Sequence, residues 1–224
     1  MIVMKKTCRA GWVVYFAIGL IFAVPCMAQD APTELSPREL FEKKLSLKIK
    51  ESRLSGKEVK KLGFEDNEEK TDVDYDGFVY MLEFRNGAEF AFDDLKVECR
   101  LFFTEESHWR THQMGVNSAT GSKSKSEQKY YEDSLEMSLK PMGRYKPETR
   151  PFVIQSWALT SGYYFDSGAA DEVDSDVDGL WVRVYYTTPD GEKLQRDFCE
   201  PKSLLTRTKW VDAPKTSKSK KKKK

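Results

Sequence analysis

Two short acidic runs carry the residue types best suited to holding a hard cation. Asp72, Asp74 and Asp76 alternate with Val73 and Tyr75 and run into Gly77, with Glu83 at the twelfth position. Asp174, Asp176 and Asp178 repeat the pattern into Gly179, but Tyr185 stands where the closing acid would be. In a calcium loop, oxygens at alternate positions of a tight turn converge on one ion, and a bidentate acid closes the shell. The flanks argue against a helix-loop-helix hand. Residues 78–84 alternate as a strand, which turns Glu83 away from the face of Phe84 and out of any loop. The expectation is two acidic loops, each opening a strand at one end of a sandwich. They either share a calcium ion or merely solvate their turns.

The only histidines, His108 and His112, are four apart with Trp109 between them. On a helix they would share a face and suit zinc or copper, yet a helical zinc protease needs Glu where Trp109 stands. Glu105 and Glu106 are the only further ligands nearby, so the pair reads as part of an exposed loop. Nucleophilic chemistry finds no Gly-x-Ser-x-Gly elbow, no phosphate-cradling glycine loop and no Cys beside a His. Dispersed acids could compose a glycosidase pair, but only through abundance. No catalytic residue is assigned, and no cofactor is expected beyond possible calcium.

Residues 1–28 say where the chain works. Lys5, Lys6 and Arg9 precede an apolar run over 12–24, and Pro25-Cys26-Met27-Ala28 closes it with small residues. That order is a secretory signal peptide with cleavage after Ala28. An uncleaved anchor and a lipid at Cys26 are the alternatives, and under either the remainder still lies outside. The mature chain is expected in the periplasm or the exterior. Cys8 and Cys26 leave with the leader, so only Cys99 and Cys199 remain, either bridged by a disulfide or as two thiols.

Charge is unevenly spread. All 36 acids fall between Asp30 and Asp212, against 27 basic residues in the same body, while seven lysines crowd the last ten positions. An acidic body argues against specific nucleic-acid binding. Lys215, Lys218, Lys220, Lys221, Lys222, Lys223 and Lys224 form a tail that cannot build a core and is expected to be disordered over 211–224. It suits weak tethering to an envelope polyanion, and membrane contact is expected only through this tail or an uncleaved leader.

The elements that would position these groups are mostly strands. Ser36-Pro37-Arg38-Glu39 is a capping box that starts a short helix in an N-terminal arm, residues 29–44. Alternation predicts strands over 45–49, 78–84, 94–104, 130–139, 152–159, 180–186 and 193–198. Residues 56–71 read as a long loop with room for one helical turn, 115–128 as an exposed loop, 163–165 as a short edge piece and 201–205 as a helical turn. About seven strands without a long amphipathic helix predict one mainly β, antiparallel immunoglobulin-like sandwich over 45–210.

Tyr80-Met81-Leu82-Glu83-Phe84-Arg85-Asn86, followed by residues 95–103, resembles the strand, Asn, strand pattern of bacterial extracytoplasmic immunoglobulin-like domains. Gly179-Leu180-Trp181-Val182-Arg183-Val184-Tyr185, with Pro201-Lys202-Ser203-Leu204 after the hairpin, is similar to uncharacterised secreted proteins of environmental bacteria. The resemblance implies a fibronectin III-like fold and no activity, and the chain lacks a Cys-Trp-Cys arrangement of antibody type. A secreted, non-enzymatic binding or structural module of the envelope is therefore expected. A calcium-stabilised adhesion or carbohydrate-contact module is the alternative, and a hydrolase the remote one. Trp181, opposite the inward residues of its strand, is the candidate partner contact.

Overall fold

The computed structural model describes residues 35–65, 71–112, 119–160 and 169–210. The leader, the 163–165 edge piece and the lysine tail lie outside them. Ser36 caps the first helix, α1 (Pro37–Lys44), with the expected reciprocal box: its hydroxyl accepts from the Glu39 amide while the Glu39 carboxylate accepts from the Ser36 amide. This helix is more than an arm, because its Phe41 is fully buried against Phe92 and Tyr186.

Eight strands follow: β1 (Leu45–Arg53), β2 (Thr71–Asn86), β3 (Phe92–His112), β4 (Ala119–Leu139), β5 (Arg144–Tyr145), β6 (Phe152–Leu159), β7 (Glu172–Thr187) and β8 (Lys193–Glu200). They form one open antiparallel sheet ordered β1-β2-β6-β7-β3-β4, with β5 added to β2 and β8 to β7. The seam between β6 and β7 is narrow, two pairs at Trp157↔Val173 and Ala158↔Glu172. On either side of it lie two lobes that contribute to one buried cluster, consistent with the expected sandwich class. Phe78, Leu82 and Phe84 come from one lobe, and Leu95, Leu101 and Val182 from the other. The mainly β expectation holds.

Three loop expectations were wrong, all for the same reason. The runs at Asp72–Asp76 and Asp174–Asp178 are strand, not loop, and residues 119–128 are strand as well. Each has a two-residue rhythm, Asp-Val-Asp-Tyr-Asp or Ser-Lys-Ser-Lys-Ser, and a long neighbour with unsatisfied backbone groups to pair with. Ladder hydrogen bonds outweigh the low strand propensity of Asp and Ser. Residues 56–71 hold a short helix, α2 (Gly56–Lys61), whose Val59 packs on β2 so closely that a Cβ on Gly77 would stand 2.8 Å from its Cγ2.

Asn86 ends β2 and organises the next turn. Its amide nitrogen donates to the carbonyls of Phe90 (2.7 Å) and Lys140 (3.0 Å), and its oxygen accepts from the Ala88 amide (2.8 Å). The outward face of β3, β7 and β8 is covered by a strap, residues 201–210, with the helical turn α3 (Leu204–Arg207) inside it. Gly179 makes the strap possible. It sits at φ +140° on β7, where a Cβ would meet the Glu200 carbonyl oxygen at 2.4 Å and Pro201 Cδ at 2.6 Å.

Candidate functional site

The side chains that alternate outward on β3, β7 and β8 build a layered polar and aromatic face. Lys96, Glu98 and Arg100 stand beside Tyr185, Arg183 and Trp181 in the β3–β7 register, and Trp181 lies opposite Cys199 on β8. Arg183 pairs with Asp197 (Nε to Oδ1 2.7 Å), and Trp181 Nε1 donates to the same oxygen at 3.0 Å. The strap lays Trp210 over this layer. The Arg100 and Arg183 guanidinium carbons lie 4.0 and 4.4 Å from its ring centroid, within cation–π range.

Trp181 is therefore not an exposed contact. It is 5% exposed, packed with Phe102, Cys199 and Leu204 and covered by the chain's own strap. Its outward position on the strand predicts exposure, but Leu204 and Trp210 of the strap return over it. Outward Arg and Trp on neighbouring strands, followed by an apolar Leu204 and Trp210, were the available signal for a second covered face.

Beside the strap this face opens into a cleft of about 550 Å³, lined by Lys96, Glu98, Arg100, Glu132, Arg150 and Tyr185 among others. Its ionised groups meet one another. Arg100 reaches Glu132 at 2.5 Å, Lys96 reaches Glu98 at 2.6 Å, and Arg150 holds Asp133 at 2.8 Å. Tyr185 donates to Glu98 at 3.1 Å. Burial pushes the Glu98 carboxyl up, but the hydrogen bond and charge of Lys96, with the Tyr185 hydroxyl, outweigh it and leave the pKa below the ordinary Glu value.

The acidic runs do come to one end of the sheet. Asp72 and Asp74 on β2 pair with Ala158 and Ser156 on β6, whose other neighbour, β7, carries Glu172 and Asp174. Together they make an acidic stripe rather than a cage. Successive carboxylates on a strand stand about 6.8 Å apart, and next-but-one strands about 9.6 Å apart, so three of them do not converge on one ion. Among the described residues no group of three or more His, Cys, Asp or Glu has metal-holding geometry. Asp178 is used otherwise, accepting from Thr104 at 2.9 Å and Gln128 at 2.8 Å. Glu83 pairs with Lys146 at 3.3 Å, away from the acidic run as its alternation required.

His108 and His112 both belong to β3 instead of a loop. Four residues of strand cover about 13 Å, too far for a shared ion. His108 Nε2 lies 3.5 Å from Asp174 and 4.0 Å from Glu106. The cysteines are free thiols, not a disulfide. Cys99 faces the main core and Cys199 the strap, on opposite faces and two strands apart. Two strand spacings are about 10 Å, whereas a bridge needs Cα atoms within about 7 Å. Burial above all pushes both thiols up to about 12.

No family model matches the chain, and no curated protein matches it. The X-ray structure of Northeast Structural Genomics Consortium target SoR45 is similar at 11% identity, covering 71% of this chain and 87% of that one, with a TM-score of 0.34.

Proposed function

We propose that the mature chain is an exported, non-enzymatic β-sandwich that binds a polar component of the cell envelope, as its resemblance to secreted bacterial immunoglobulin-like domains implies. The cleft beside the strap is its contact surface, and Lys215 to Lys224 add weak attraction for polyanions. One observation carries this reading: the cleft is lined by acids and bases already fixed against each other. A surface of that kind is preorganised for recognition, since little side-chain ordering remains to oppose binding. The same pairing suits catalysis poorly, because a general base must be free to take a proton at working pH.

Co-sedimentation with washed cell-wall material tests the contact surface. The probe protein is residues 29–210, so that tail charge plays no part. Replacing Lys96→Glu and Arg150→Glu together leaves the core untouched and inverts the two most exposed bases of the cleft. The bound fraction is expected to fall several-fold. An unchanged bound fraction, or none for the parent, overturns the assignment.

A further inference from the structure

Strand β4 is an edge: among the described residues it pairs only with β3. One stretch of that edge is closed. The Arg150 amide donates to Asp133 at 2.8 Å and its guanidinium to the Glu132 carbonyl at 3.1 Å. Ahead of this clamp, residues 122–130 are exposed except for half-buried Lys129. A sheet edge presents a row of backbone donors and acceptors ready to template another strand.

The side chains along this stretch are sorted by face. Lys123, Lys125, Glu127 and Lys129 share one side, opposite Trp109, Ser107, Glu105 and Phe103 of β3, while Ser122, Ser124, Ser126 and Gln128 take the other. Lys125 and Glu127 lie 3.2 Å apart on the exposed face.

We propose that this edge pairs antiparallel with the same edge of a second copy, about a two-fold axis at Ser126. Such an axis sets each Lys125 opposite the second copy's Glu127, twice over, and each Ser124 opposite Gln128. Each neighbouring register either sets like charges together or runs into the clamp. An axis at Lys125 or Glu127 places that charge against itself, one at Ser124 sets Lys123 against Lys125, and one at Gln128 runs the pairing into the stretch that Arg150 closes. The remaining like-charge pair, Lys123 with Lys129, is already engaged within its own chain. Lys129 is held by Glu105 at 2.5 Å, and Lys123 Nζ lies 5.9 Å from the Trp109 ring centroid.

Lysines on an edge repel indiscriminate strands, so the charge order turns a protected edge into a selective one. A dimer through two short edges buries less than a standard interface and is therefore reversible. It goes beyond the binding reading above and does not depend on it.

Sedimentation equilibrium on residues 29–224, and on residues 29–210, tests the pairing. Both chains are expected to show the same concentration-dependent monomer and dimer. Lys125→Glu alone and Glu127→Lys alone should each weaken association about tenfold, since two cross-strand attractions become repulsions. The double swap should restore it. A monomer at every concentration, a dimer that ignores the single swaps, a double swap that fails to restore it, or loss of the dimer without the tail would each overturn the proposal.

Discussion

The Trp210 ring stands 5.6 Å from that of Trp181, edge to face, and this contact fastens the strap to the outward face of β7. Phe102 with Trp181 at 6.2 Å, and Arg100 with Trp210 at 4.0 Å, tie that layer down to β3. Trp210→Ala is expected to cost about 2 kcal/mol, a half-buried aromatic's transfer energy plus its ring contacts. Denaturant unfolding measures the loss. A red shift of Trp181 fluorescence in the folded variant would show the face uncovered.

Gly179→Ala attacks the same strap from below. Its new methyl would collide with the Glu200 carbonyl rather than with a side chain that can swing away. A loss of at least about 2 kcal/mol is expected, from strain and the displaced backbone. A melting temperature equal to the parent's would mean that the strap does not sit against β7 as described.

Asn86→Ala takes the side-chain partner from the Phe90 carbonyl and the Ala88 amide at a position that is 1% exposed, while the Lys140 carbonyl keeps the Gly143 amide. Each buried polar group left unsatisfied costs about 1–3 kcal/mol, so the total loss should exceed that of Trp210→Ala. Thermal unfolding of the two variants side by side gives the order.

The thiols should be inert in the folded chain. With both pushed up to about 12, almost no thiolate exists at pH 8, and burial blocks access. Residues 29–224 treated with a thiol reagent should take up no label while folded. In denaturant they should take up one label on each of Cys99 and Cys199, and a single disulfide mass would contradict the two-face placement.

Glu98 gives the pH dependence its sign. Its folded pKa lies below the unfolded value, so its pairing with Lys96 and Tyr185 stabilises above the ordinary Glu range near pH 4.3 and is lost as pH falls through the folded value. Glu98→Gln should lower stability above the ordinary Glu range and flatten the acid limb of the stability curve, the difference from the parent vanishing at low pH. A steeper acid limb in the variant would reverse the assignment.

Much of the inner sheet was legible because burial on one face imposes a two-residue alternation. Phe78 to Phe84, Leu95 to Phe103 and Phe152 to Leu159 read directly as strands, and Ser36 with Glu39 as a helix start. The polar strands were not legible in the same way. Asp72 to Asp76 and Ser122 to Ser126 alternate too, but neither row of side chains is strongly apolar, so their composition is that of a loop. The outer face was hidden for another reason. Arg100, Arg183 and Asp197 matter because Trp210 returns over them from beyond the last strand, and two-residue alternation within a strand does not show what covers its outward side.

The proposed function gives binding of polyanions to the lysine tail rather than to the acidic, internally paired body. The direct measurement is binding of residues 29–224 and 29–210 to anionic lipid vesicles at low and high salt. The longer chain should bind at low salt and release as salt rises, while the shorter should stay free at both, because a run of lysines acts through charge that salt screens. Equal binding by the two chains, or binding of the longer one that salt does not weaken, would contradict it.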